Sequence, residues 1–154
     1  MTFTGTSGPA DTGAVQLTDP ALYRHWSDEH VRFNDLDPLG HANNNAIGVY
    51  FESGRVAFHD AIGLRDNLDH QFVAARIVIE YKAEIHRPNR LRIGTGVLRI
   101  GRTSWTLGSA LFIGDRCMAT SECVLVLIDT QTRRPVPIPD LARGGLARHL
   151  LVPA

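Results

Sequence analysis

Lysine is nearly absent from this sequence of 154 residues, in which Lys82 is the only one among sixteen cationic residues. Sixteen acidic residues balance the cations, so the formal net charge is zero. This balance argues against a basic nucleic-acid-binding protein and against an acidic tail protein. The charges are unevenly spread, because residues 1–77 carry ten acidic and five basic side chains while residues 78–154 carry six and eleven.

Cysteines and long apolar runs are also scarce. Cys117 and Cys123 lie six residues apart in one predicted strand, about 20 Å of extended chain, which is too far for a disulfide. We therefore expect free thiols in a reducing compartment. Residues 1–17 lack both a cationic start and an apolar run, so we expect no signal peptide. No stretch is apolar enough to span a bilayer, and a cytoplasmic protein without a membrane partner is expected.

Length and composition predict one globular domain. A chain of 154 residues is close to the usual size of about 150 residues for a single domain. Its 44% apolar and 21% charged residues are ordinary for a globular protein. Residues 1–19 are rich in Thr, Gly, Ser and Asp and predict a flexible N-terminal tail. Residues 20–154 are expected to form the domain.

One long helix is predicted in the first half of the chain. Asn43 and Asn44 are favourable N-cap residues, apolar residues follow at helical spacing, and Gly63 suits the C-terminal end. Gly48 and Gly54 within the helix predict close packing, since each costs about 1 kcal/mol relative to alanine. Before the helix, Val31–Phe33 is a candidate strand and 35–40 a turn.

The second half of the chain changes to a period of two residues. We predict four strands joined by turns, at residues 72–85, 91–100, 104–113 and 117–128. Residues 129–139 are irregular, and 140–151 are expected to contain a short helix. The order of elements predicts an α+β fold, one helix with an antiparallel sheet. Apolar residues on both sides of the last strand predict that something covers its other face or edge, and a second subunit is the simplest candidate.

The segment Asp35–Asn45, DLDPLGHANNN, places a carboxylate and an imidazole before the predicted helix. The first turn of a helix offers unpaired N–H donors, which can bind the oxygen of a polarised carbonyl. Asp37 could then act as a general base or as a nucleophile. The same residue types also form ordinary turns and helix caps, and taken alone they fit that structural role better.

Two stretches of this region closely resemble the 4-hydroxybenzoyl-CoA thioesterase group of the hot-dog fold. They are the run from Val31 through Asp37-Pro-Leu-Gly-His41 to Asn44 and the helical pattern Val49-Tyr-Phe-Glu-Ser-Gly-Arg55. In that family an aspartate precedes a Pro/Ala-x-Gly turn, and the helix carries Tyr/Phe-Glu-x-x-Arg. The resemblance covers most of the chain and is more generic in the sheet, at 99–104 and 124–137.

The resemblance implies a long central helix wrapped by a five-stranded antiparallel sheet, in a homodimer or a dimer of dimers. It implies hydrolysis of an acyl-CoA thioester to the free acid and CoA, with no cofactor other than the coenzyme A of the substrate. Asp37 would be the catalytic carboxylate, and the N–H near Asn44 would polarise the carbonyl. His41, Asn43 and Asn45 would bind the acyl or thioester group.

Arginines and histidines elsewhere give two further expectations. Arg102, Thr103 and Ser104 form a predicted hairpin turn that the resemblance assigns to the CoA phosphates, through arginine and backbone N–H groups. A solvated turn is an equally good interpretation. The remaining histidines show no metal-ligand spacing on one helix face, so no metal site is expected.

Two other functions stay open on the sequence. Hot-dog hydratases and dehydratases add or remove water across acyl-thioester double bonds with a histidine–carboxylate pair, which His41 and Asp37 could mimic. A non-catalytic acyl-CoA-binding protein is the other alternative, since a fold does not prove an activity.

Overall fold

The computed structural model describes residues 14–66, 70–87 and 89–153. In these residues a long helix lies on one face of a five-stranded antiparallel sheet, which confirms the predicted α+β class and hot-dog architecture. The strands lie side by side in the order β1-β3-β4-β5-β2. The elements are, in chain order, β1 His25–His30, α1 Asn44–Ala61, β2 His70–Tyr81, β3 Arg90–Ile100, β4 Ser104–Ile113, β5 Arg116–Asp129 and α2 Asp140–Ala147.

Helix α1 begins and ends at the predicted residues for local reasons. The Oδ1 atom of Asn43 accepts a hydrogen bond of 2.8 Å from the N–H of Ala46, a side-chain N-cap. Gly63 follows the helix with a φ of +70°, a backbone conformation that glycine adopts without strain. A Cβ atom at Gly54 would lie 2.8 Å from Ile93, so this glycine allows close packing on the sheet as predicted. Gly48 has open space instead.

Two strand boundaries differ from the prediction. The first strand is β1, His25–His30, and the predicted strand Val31–Phe33 follows it without being part of a strand. Residues Phe33–Asp35 form a 3-10 turn instead, in which the carboxylate of Asp35 accepts a hydrogen bond from the N–H of Arg32. Strand β2 ends at Tyr81, before the predicted residue 85. The N–H groups of Lys82 and Ala83 both donate to the carbonyl of Met118, which ends the regular ladder.

Both faces of the sheet carry buried side chains. The helix-side core includes Ile47, Tyr50 and Phe51 of α1, together with side chains of the four long strands. On the outer face, Val15 and Leu17 pack beside Tyr23, although both belong to the predicted tail. The chain itself therefore covers part of the face for which a second subunit was predicted. Residues 1–13 of that tail lie outside the described residues.

Strand β2 is one edge of the sheet, and its apolar side chains are poorly covered. Val73, Ile77 and Tyr81 are 39%, 47% and 37% exposed. Val49 and Val56 of α1 are exposed as well. We refer to Val73, Ile77 and Tyr81 as the β2 edge patch. Among the described residues, no helix has the length and apolarity that crossing a membrane requires.

Candidate active site

The turn that precedes α1 is closed by its own backbone, as the sequence predicts. The N–H of Asp37 donates to the carbonyl of His41 over 2.8 Å, and the N–H of Gly40 donates to the carbonyl of Asp37 over 3.0 Å. Gly40 has a φ of +80°, which favours glycine. Leu36 and Ala42 form a β-bridge across the base of the turn. This frame holds Asp37 in a fixed place next to the helix start.

The carboxylate of Asp37 is held by one oxygen and open at the other. Its Oδ1 atom accepts hydrogen bonds from the N–H of Leu39, over 2.9 Å, and of His41, over 3.1 Å. Among the described residues no donor reaches Oδ2. The carboxylate is half-buried. A carboxylate with a fixed orientation and one unengaged oxygen can act as a general base or as a nucleophile.

The start of α1 supplies hydrogen-bond donors beside this turn. The N–H groups of Asn44 and Asn45 meet no acceptor among the described residues, and both residues are exposed. Asn43 is engaged on both sides of its amide, because Oδ1 caps the helix and Nδ2 donates to the carbonyl of Asp35 over 2.9 Å. Its contact with substrate stays a prediction, whereas its part in orienting the two donors follows from these bonds.

Asp35 anchors the turn to the helix, a role that the sequence analysis missed. Its Oδ2 atom accepts hydrogen bonds from the hydroxyl of Tyr50, over 2.6 Å, and from the N–H of Arg32, over 2.8 Å. Burial and the bond to Asp35 raise the pKa of the Tyr50 hydroxyl, which therefore stays a donor. The two carboxylates of the motif thus differ: Asp35 is bound to the core and Asp37 is open to a ligand.

The imidazole of His41 points at a second carboxylate rather than at that of Asp37. Its Nε2 atom lies 3.4 Å from Oε2 of Glu84, and Nε2 of His86 lies 3.6 Å from the same oxygen. A backbone bridge between His41 and His86 brings the two segments together. Sequence spacing could not reveal this group, because its members come from two separate stretches of chain.

The predicted CoA turn lies far from Asp37 within one chain. Arg102 and Thr103 connect β3 and β4 at one end of the hairpin, while the Asp37 turn packs beside residues 85–86 near its other end. At about 3.3 Å per residue, the strands separate the two regions by about 30 Å. The carbonyls of Arg102, Thr103 and Ser104 accept backbone hydrogen bonds, and the side chain of Arg102 is exposed.

Solved structures with the same fold include several proteins named thioesterases. A predicted thioesterase from Bacillus stearothermophilus is 28% identical, with a TM-score of 0.77 over 84% of this chain and 98% of that one. A thioesterase from Thermus thermophilus, complexed with coenzyme A and Zn, is 27% identical, with a TM-score of 0.74 over 86% and 98%. A protein from Pseudomonas aeruginosa is 27% identical, with a TM-score of 0.78 over 85% and 94%.

Most of the domain is similar to one protein family. A search of curated protein sequences finds no significant match. The family model of the thioesterase-like superfamily matches residues 31–146, from the end of β1 through α2. This range includes the Asp37 turn, the helix start and all four long strands. The chain therefore belongs to the thioesterase-like superfamily.

Proposed function

We propose that the protein is an acyl-CoA thioesterase, related to the 4-hydroxybenzoyl-CoA thioesterase group, that releases a free acid and CoA. The observation that carries the proposal is the half-engaged carboxylate of Asp37 beside two N–H donors at the start of α1 that meet no acceptor in the described part of the chain. Thioester hydrolysis needs both parts, a base or nucleophile and a site for the carbonyl oxygen. The two free cysteines agree with a cytoplasmic protein.

In the proposed reaction the thioester carbonyl oxygen accepts the N–H of Asn44, where the positive end of the helix dipole stabilises the developing oxyanion. The open oxygen of Asp37 takes a proton from water, which attacks the carbonyl carbon. Alternatively, the same oxygen attacks directly and forms an anhydride that water then cleaves. In the first route the C–S bond breaks as the proton on Asp37 passes to the sulfur, so CoA leaves as the thiol. In the second route the C–S bond breaks to give the CoA thiolate, which is protonated when water cleaves the anhydride to the free acid and restores Asp37. His41, Asn43 and Asn45 are proposed to border the acyl or thioester group.

We propose that the working unit is a homodimer, or a dimer of dimers, formed through the β2 edge patch. Strand β2 has twelve residues, and among the described residues it is the last strand of the sheet order, paired with β5 alone. A long edge strand with exposed apolar side chains invites pairing with another chain. The exposed Val73, Ile77 and Tyr81 on β2 would be covered by a second copy.

An antiparallel pairing of the two β2 strands would also join the separated parts of the site. The Asp37 turn lies near the Tyr81 end of β2, since the N–H of Ala42 donates to the carbonyl of Ile85, in the segment that follows β2. In the same segment, the N–H of Lys82 donates to the carbonyl of Met118. The Arg102 turn lies near the His70 end, because Thr103 accepts from Leu127, which is opposite Phe72. Antiparallel pairing places the His70 end of one copy beside the Tyr81 end of the other. Arg102, Thr103 and Ser104 would then reach CoA phosphates bound at the other copy's Asp37.

The activity is tested by a thiol-release assay over short, long, branched and aromatic acyl-CoAs, run alongside enoyl-CoA absorbance. Thiol release with at least one acyl group supports the proposal. Loss of enoyl absorbance without thiol identifies a hydratase, which would use the pair of His41 and Glu84 seen here. Binding of acyl-CoA with neither signal identifies a non-catalytic binding protein, and either result rejects the thioesterase assignment.

The proposed dimer is tested by Ile77→Arg, with Leu141→Arg as a matched control. Both residues are exposed, but Leu141 lies on α2, away from the β2 edge patch. By analytical ultracentrifugation we expect a dimer or tetramer for the parent and a monomer for Ile77→Arg. We expect Leu141→Arg to stay at least dimeric, because its β2 edge patch is unchanged. An Ile77→Arg variant that keeps the parent's sedimentation coefficient would show that the interface lies elsewhere.

A further inference from the structure

We propose that His41, Glu84 and His86 form a binding site for a divalent transition metal ion of the zinc class. The inference goes beyond the proposed hydrolysis, which needs no metal. It also differs from the expectation drawn from the sequence, which shows no metal-ligand spacing of histidines on one helix face and so predicts no metal site. The three side chains each offer one ligand atom, and these atoms all lie within 4.8 Å of one another.

The distances within the group fit tetrahedral coordination. Zinc binds imidazole nitrogen at about 2.0–2.1 Å and carboxylate oxygen at about 2.0–2.2 Å, so neighbouring ligand atoms in a tetrahedron lie about 3.3–3.5 Å apart. The oxygen of Glu84 lies 3.4 Å from Nε2 of His41 and 3.6 Å from Nε2 of His86. Two of the three edges therefore already have nearly the length that a bound ion requires.

The backbone holds the two segments in this arrangement before any ion binds. His41 and His86 face each other in an antiparallel bridge, and the N–H of Ala42 donates to the carbonyl of Ile85 over 2.7 Å. The two imidazole rings meet edge to face, with centroids 4.5 Å apart. The side chain of His86 is 55% exposed, which leaves it free to rotate toward the ion. Binding then requires side-chain adjustment only.

The donor set selects the class of metal. Two imidazoles and one carboxylate are a set that holds catalytic zinc in proteins, with a fourth position left for water or another ligand. Magnesium and calcium prefer oxygen ligands throughout, whereas imidazole suits zinc, copper and nickel. The group has one anionic ligand, so a bound divalent cation would offset the charge that Glu84 places between the two rings.

The site is adjacent to Asp37 but does not include its carboxylate. The backbone N–H of His41 donates to Oδ1 of Asp37, while the imidazole of His41 points to Glu84. A bound ion would fix this imidazole and, through the backbone, the turn that holds Asp37. Metal binding is measured without substrate, so a failure of the metal proposal and a failure of the thioesterase proposal give separate results.

The test uses the full chain after dialysis against a chelator, titrated with Zn²⁺ by calorimetry and with Co²⁺ by visible absorption. We expect one ion per chain and the intense absorption of four-coordinate Co²⁺. Loss of an outer-shell partner typically costs 10–100-fold in metal affinity, so removing a ligand in Glu84→Gln or His86→Gln should cost at least about 100-fold. His30→Gln removes an exposed imidazole outside the group and should keep the parent's affinity.

Three results would overturn the proposal. The parent chain could fail to bind Zn²⁺, bound Co²⁺ could show only the weak absorption of a six-coordinate ion, or both ligand variants could bind like the parent. The first result would leave the contacts of Glu84 with the two histidines as structural contacts only. The Co²⁺ spectrum of the parent decides the coordination without any variant, so the test does not depend on how well the substituted chains fold.

Discussion

The two ends of helix α1 differ in the burial and hydrogen bonding of their polar groups. At the N-terminal end, the N–H groups of Asn44 and Asn45 are exposed beside the open carboxylate of Asp37, without an acceptor among the described residues. At the C-terminal end, His59 is 1% exposed, and its Nε2 atom accepts the indole N–H of Trp105 over 3.1 Å. The imidazole at the second end is therefore paired and enclosed, while the N–H donors at the first end are open.

Aromatic packing explains why the C-terminal end is closed. The ring of His59 lies 4.4 Å from that of Phe72 and 5.7 Å from that of Trp105, measured between centroids. Phe58 is fully buried beside it. Buried aromatic side chains contribute large apolar areas, and a paired imidazole nitrogen avoids the cost of an unsatisfied polar atom. One helix therefore has a buried, paired imidazole at one end and the proposed catalytic groups at the other, so substitutions at its two ends should have separable effects.

The largest expected effect is that of Asp37→Asn at the open end. Asparagine keeps an oxygen that can accept from the N–H groups of Leu39 and His41, so the turn should survive and the midpoint of thermal unfolding should stay near that of the parent. The variant loses the base or nucleophile, and kcat for thiol release should fall by about a thousandfold.

Asp35→Asn is the matched control for this substitution. Asp35 is bonded to the Tyr50 hydroxyl and to the N–H of Arg32, so its replacement should lower stability more than Asp37→Asn does. If Asp37→Asn hydrolyses acyl-CoA as fast as the parent, Asp37 has no catalytic role. If both variants lose activity and stability in parallel, the two carboxylates do not differ as we infer.

A smaller effect is expected in the pH dependence of the free energy of unfolding, through His59 at the C-terminal end of α1. Burial, with the charges of Arg55 and Arg65, lowers the pKa of His59 from 6.5 to about 3. The native imidazole therefore stays neutral between these values, while the unfolded chain binds a proton. Its contribution to the free energy of unfolding is complete above pH 6.5 and is lost as the pH falls toward about 3, by up to about 1.4 kcal/mol per pH unit.

Urea unfolding of the parent and of His59→Gln between about pH 4 and about pH 8 measures this contribution. The difference between the two curves isolates His59, because burial also lowers the pKa of His25 and His149 in both proteins. We expect the difference to be constant above pH 6.5 and to shrink below it. Parallel curves throughout would mean that His59 is not kept neutral by the fold.

Local sequence signals sufficed for α1 and for the hairpin of β3 and β4, because caps, glycines and periodicity act within a few residues. They failed for features that depend on a partner residue far away in the sequence. The end of β2 depends on Met118, whose carbonyl takes two N–H groups, and the anchoring of Asp35 depends on Tyr50. The approach of Glu84 to His41 depends on how two segments pair, which spacing along the chain does not record.

The smallest expected effect is that of Asn43→Ala, which links the cap to the open donors. The substitution removes the acceptor for the N–H of Ala46 and the donor to Asp35, and the loss of an N-cap costs about 1 kcal/mol. Urea unfolding measures this loss, with Asn45→Ala as a control in the first turn. Because Asn43 also fixes the direction of the donors, kcat should fall more than the folded fraction does. A loss of stability with unchanged kcat would show that the cap supports the helix without orienting its free N–H groups.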